Sequence, residues 1–227
     1  MTSTSSVQTL NRLHEASIEQ QAGYAIDGLF ATFPEPKYLS AEQRRGIIAR
    51  YTSVLEGNFI YWMAGAYLSV KSEDARSIVL ENLHEEVRDC HPGMLRRFAM
   101  SANAVPTDSD ALAVYPELTK VRLFLGRLSG VRIVLMMAFF EGLIQRFMPF
   151  LAELAERQGS FEREYTDVHG VCDVVHTQEL FHALAAEMAL NPPEPATSLF
   201  EGVDLLRALI HSIVDPAMSG GGVPAPC

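Results

Sequence analysis

The chain has 227 residues, a net charge of −10 and an apolar fraction of 48%, which allows one domain with a sizeable core and argues against disorder. The negative balance, with no basic stripe, excludes a nucleic-acid backbone or an anionic membrane as the main partner. Cys90, Cys172 and Cys227 are scattered, with no CxxC pair, so neither a disulfide framework nor a zinc ribbon fits, and a cytoplasmic location is expected.

Residues 1–6 read as a disordered tail without the features of a secretory signal. Helical spacing through Leu10, Leu13, Ile18, Ala22, Ile26 and Phe30 predicts a helix over residues 7–33, ended by F-P-E-P-K. Ser40, with Gln43 three residues on, forms a capping box that starts a second helix. Residues 58–70 are apolar nearly all round, as in a central helix, with a bend expected near Gly57. Ser72, followed by Glu73 and Asp74, opens a segment predicted to run as a helix to about residue 103. A fourth helix is expected over residues 109–128, divided near Pro116, and Ser129 and Gly130 separate it from an apolar helix over 131–157. Arg132, Glu141, Gln145 and Arg146 interrupt that apolar run, so it reads as a buried helix and not as a membrane span. Ser160 is the expected cap of the next helix, N-P-P-E-P-A-T-S stops it, a last helix covers about 198–214, and residues 217–227 form a flexible tail. No hairpin turn lies between alternating runs. The fold expected is all-α, a single domain over 1–227 of about seven helices.

The most informative stretch is Y-T-D-V-H-G-V-C-D-V-V-H-T-Q-E-L-F, residues 165–181. On a helix His169, Asp173 and His176 fall within about 60° of one another and form one polar stripe. Either a divalent metal gathers them, or the aspartate orients two neutral histidines in a hydrogen-bonded core cluster. The segment E-N-L-H-E-E-V-R-D-C-H-P, residues 81–92, supplies further candidates. Counted back from His91 along a continuous helix, His84 lies about 20° away, Arg88 about 60° and Glu81 about 80°, while Glu85 and Glu86 are expected to face water. Pro92 directly after His91 is unusual inside a helix. An ordinary charged surface helix is the alternative for this segment. Glu141 follows five apolar residues in V-L-M-M-A-F-F-E, so it is expected to be buried, with a metal or an arginine such as Arg146 as its partner. Counted together, Glu81, His91, Glu141, His169, Asp173 and His176 make three histidines and three carboxylates on three helices, a set suited to two adjacent iron ions.

On these residues the chain resembles the heme-oxygenase-like diiron oxidases. Residues 82–98 look like the family's first ligand helix, Glu141 sits where its lone middle glutamate belongs, and H-G-V-C-D-V-V-H is similar to its His-x3-Asp-x2-His helix. Members place the first glutamate three, seven or ten residues before the histidine, and here only Glu81 among those positions is a carboxylate, with His84 as an extra or outer ligand. The resemblance implies a heme-oxygenase-like bundle that binds two Fe(II) ions, uses dioxygen as co-substrate and oxidises a small metabolite in natural-product biosynthesis. The chain looks most similar to the branch acting on free aliphatic amino acids, including closure of the azetidine ring of polyoxin-type products, by C–H abstraction leading to desaturation or C–N ring closure. Arg88 would then receive the substrate carboxylate, or else make an ordinary ion pair with a neighbouring glutamate. A small-molecule substrate is the expected partner, and a homodimer and an external electron donor are compatible with this class. The competing reading is a binding protein, or a metal-independent enzyme similar to the thiaminase and pyrroloquinoline-quinone synthase relatives, with Cys90 or Cys172 as nucleophile.

Overall fold

A computed structural model describes residues 16–193 and 198–215. Both predicted tails, the Leu10 and Leu13 turns of the first helix, and Cys227 lie outside them. Every regular element among the described residues is helical, as the all-α expectation requires. Contacts group the chain into two compact units, residues 1–33 and 34–227.

The first unit holds α1 (Ile18–Phe30), opened by a reciprocal capping box between Ser17 and Gln20. In the second unit the Ser40–Gln43 capping box starts α2 (Ala41–Leu55). Gly57, at φ 88°, does more than bend the chain: it separates α2 from α3 (Asn58–Ser69) in a backbone region that suits glycine. Ser72 caps α4 (Glu73–Arg88).

The expected continuation of α4 to residue 103 does not occur. Cys90 adopts φ 57° and a separate helix, α5 (His91–Ser101), begins at His91. Pro92 is thus a first-turn proline, where its missing N–H has no partner to lose. Next comes α6 (Asp108–Leu125), which runs unbroken through Pro116. The two long helices α7 (Gly130–Glu156) and α8 (Glu164–Leu190) follow, then α9 (Glu201–Val214). Ser160 does not cap α8: its hydroxyl bonds Ser101 and accepts the Glu162 amide, and Arg163 occupies the cap position.

Helix α7 is the core element, buried without interruption from Gly130 to Ile144. It is also the one described helix long and apolar enough to cross a membrane, and most of its apolar window is inside the protein. Helix α8 lies along α7, α4 packs against α8 and α3, and α5 touches α2 and α8. Four helices therefore bring polar positions to one point: the end of α4, the start of α5, the middle of α7 and the first half of α8.

Candidate metal centre

Helix α4 turns Ala75, Val79, Asn82 and Glu86 inward, a spacing of four, three and four that fits one helical face. Glu81 is exposed, as are His84 and Arg88. The sequence-based choice of Glu81 therefore fails, because it carried the phase of α4 through residue 91 as though the helix were continuous. With the break at Cys90 the phase is reset, and Glu86, expected to face water, is the buried carboxylate beside His91. Arg88 bridges Asp89 at 2.9 Å on the surface and does not reach the cluster; His84 does not join it either. The other five predicted residues, His91, Glu141, His169, Asp173 and His176, are all buried.

Glu86 Oε1 accepts from His91 Nδ1 at 2.7 Å and lies 3.9 Å from His169 Nε2. The His91 and His169 rings are 4.5 Å apart, and the ligand atoms of Glu86, His91 and His169 fall within 4.8 Å of one another. His169 Nδ1 donates to the Tyr165 carbonyl at 2.8 Å, which leaves Nε2 with its lone pair. His176 Nε2 donates to Glu85 Oε2 at 2.7 Å, so its Nδ1 faces Glu141 Oε2 at 4.0 Å and Asp173 Oδ1 at 3.9 Å. Backing of one imidazole nitrogen by a carboxylate or a carbonyl is the usual way a ligating histidine is oriented. Two donors on one ion, each about 2.1 Å from it, stand up to about 4.2 Å apart, so the 3.9 and 4.0 Å separations admit a shared cation and the widest, up to 4.8 Å, need a small inward shift.

The electrostatics point the same way. Burial, then Asp173 and Glu86, hold the Glu141 carboxyl well above the usual carboxylate range. Asp173 is pushed up to about 8, with burial the largest cause. Burial takes His169 down to about 4. For His91 burial opposes protonation, but the bond and charge of Glu86 outweigh it and the ring is raised. Asp173 Oδ2 is buried with no amide, hydroxyl or basic donor, and the Asp173 and Glu141 carboxyls share a hydrogen bond. Three buried acids without a buried lysine or arginine among them are relieved only by protons or by cations. The donor set fits two divalent ions: Glu86, His91 and His169 would hold one, and Glu141, Asp173 and His176 the other.

Beside the centre is a narrow cavity of about 20 Å³, room for about one water molecule. Glu86, Glu141, His91 and His169 line its polar part, and Leu55, Phe59, Leu95, Phe140 and Ile144 its apolar walls. Tyr51 and Tyr165 close it with a 2.8 Å hydroxyl pair; both phenols are raised, chiefly by burial. Among the described residues no lysine or arginine lines it. The Cys172 thiol is raised by burial and then by Asp173, the reverse of what a nucleophile needs.

The sequence pattern overlooked Glu85 and Glu86, although the inward stripe of α4 and the H-P-G start of α5 both carried the signal. A family profile described as "Iron-containing redox enzyme" matches residues 48–209, which spans all four contributing helices. Neither a curated protein nor a solved structure matches the chain.

Proposed function

Because the chain belongs to the family of iron-containing redox enzymes, we propose that it is a nonheme diiron oxidase that uses dioxygen to oxidise a small metabolite with an aliphatic chain. The all-α architecture is that of the heme-oxygenase-like bundle. The observation that carries the reading is the pairing of two buried carboxylate–histidine groups with an apolar cavity whose wall includes Glu86, Glu141, His91 and His169.

Two ferrous ions in these groups would supply dioxygen reduction and hydrogen removal from an unactivated carbon, chemistry that no side chain performs alone. The protein's own contribution is placement. Glu85 and the Tyr165 carbonyl fix the tautomers of His176 and His169. Phe59, Phe140 and Ile144 line the small cavity beside the ligands and would meet the aliphatic chain, and exclude water from it, once the cavity opens to admit one. The lining has no guanidinium, and Arg88 is on the surface, so the part of the substrate that enters the cavity is uncharged. Loss of hydrogen from that part leads to desaturation, or to ring closure where a substrate amine lies within reach; free aliphatic amino acids and fatty acids are the first classes to test.

The test is to load the full-length protein with Fe(II) under argon, measure bound iron, then admit air with pools of amino acids and fatty acids and follow oxygen-dependent mass changes. Two irons per chain and a new product are expected, with His176→Ala helical by circular dichroism but inactive. Normal turnover by His176→Ala, or turnover without iron, would overturn the reading.

A further inference from the structure

Cys172 has no part in the chemistry just described. Its sulfur nevertheless lies with the ligand atoms of Asp173 and His176 in a group within 4.8 Å. The thiol donates to Asp173 Oδ1 across 3.2 Å, whereas Asp173 Oδ2 is buried with no amide, hydroxyl or basic donor. The carboxyl's two ties are therefore unlike: the thiol hydrogen on Oδ1 belongs to the fold, whereas the hydrogen bond shared with Glu141 depends on a proton. A carboxylate without such a tie can rotate about its last side-chain torsion and take an ion through either oxygen or both. Glu141 also shares a hydrogen bond with Asp173, but that bond needs a proton that a bound cation would displace, so Cys172 is the donor that would stay on Asp173's carboxylate with an ion in place.

We propose that Cys172 is a positioning residue for the second ion, holding Asp173 by an S–H···O bond so that its carboxylate stays turned toward His176 Nδ1. The proposal rests on the two-ion reading. A thiol is a weak donor, so its effect belongs at the low end of the 10- to 100-fold range typical of groups that orient a ligand.

Cobalt(II) serves as the probe, titrated into the full-length protein without oxygen and followed by visible absorption and calorimetry. Wild-type protein is expected to take two equivalents. Cys172→Ala should bind one of them about tenfold more weakly and the other unchanged. Cys172→Ser, whose hydroxyl can donate in the same place, should restore the affinity, and circular dichroism should be the same for all three. Equal affinities in wild type and Cys172→Ala would overturn the proposal, as would failure of serine to restore binding. A near-ultraviolet sulfur-to-cobalt charge-transfer band in the wild type would also overturn it, by making the sulfur a ligand. Should wild-type protein bind no cobalt at all, the two-ion reading itself falls and takes this one with it.

Discussion

Helix α8 buries two acids that lead opposite lives. Glu187, near its C-terminal end, is fully buried, and its Oε2 accepts the backbone N–H groups of Lys71 and Ser72 at 2.8 Å each. Those amides lead into the N-terminus of α4, where a carboxylate is favoured by both the free donors and the helix dipole. The contact also fixes a tight neighbour: a Cβ at Gly130 would sit 2.8 Å from Glu187 Oε1 and from the Ser69 carbonyl. Asp173, about four turns earlier, receives one weak thiol bond, shares a hydrogen bond with Glu141 and faces the charge of Glu86. Each acid has one buried oxygen without a donor, Glu187 Oε1 and Asp173 Oδ2, but Glu187's other oxygen takes two backbone N–H groups where Asp173's takes a thiol. An acid supplied by the backbone is an architectural strut, and an acid left short is stable only when something from outside completes it.

The sharpest way to break this contrast is to neutralise each acid in turn. Asp173→Asn and Glu141→Gln should lose at least one of the two irons, measured by metal analysis, with oxygen consumption falling to background. The melting temperature of the metal-free protein should hold or rise, because each change removes a crowded buried acid. Glu187→Gln should do the reverse. It keeps its iron but loses about 1.5 to 3 kcal/mol of stability, the cost of weakening two charge-assisted bonds, read as a lower denaturant midpoint. If Glu187→Gln lost iron while keeping stability, the two acids would have been assigned the wrong way round. A smaller effect is expected at Glu85, half-exposed and bonded to His176 Nε2: Glu85→Gln should weaken the binding of one iron about tenfold and leave the metal-free melting point where it was.

How much of this was legible beforehand depends on whether a signal is local. The Ser40–Gln43 box, the Ser72 cap and the all-round apolar helices are short-range patterns, and they appear in the structure where the residues placed them. The His169–Asp173–His176 stripe needs only that one helix be continuous, which it is. Glu81 failed for the complementary reason: relating it to His91 requires counting across Cys90, where a left-handed backbone breaks the helix. The sequence H-P-G, with proline suited to a first turn, was the available warning. Which carboxylate of α4 points inward is then decided by packing against α8, which periodicity within α4 suggests through Ala75, Val79 and Asn82 but cannot connect to a histidine on another helix.

The contrast also sets the pH dependence, and here the signs separate. An aspartate free in an unfolded chain titrates near pH 3.9, whereas Asp173 is pushed up to about 8, largely by burial. Between those values the native metal-free protein retains a proton that the unfolded chain has released, so stability falls as pH rises through the window. Asp110 behaves oppositely. Burial works against its charge, but bonds from Thr107 and Arg45 outweigh it and lower the carboxyl, so its contribution is present above the ordinary aspartate value and is lost only as pH falls below that. The two windows do not overlap. Calorimetry of the metal-free protein should therefore show a melting temperature that declines from about pH 5 to about pH 8, a decline reduced in Asp173→Asn and again in Glu141→Gln, whose carboxyl burial also raises, and kept in Asp110→Asn. Saturating cobalt should flatten the curve in the wild type, because the ions replace the protons that the buried acids otherwise need. A wild-type profile already flat without metal would mean that Asp173 is satisfied by the fold after all, and the distinction between the two ends of α8 would disappear.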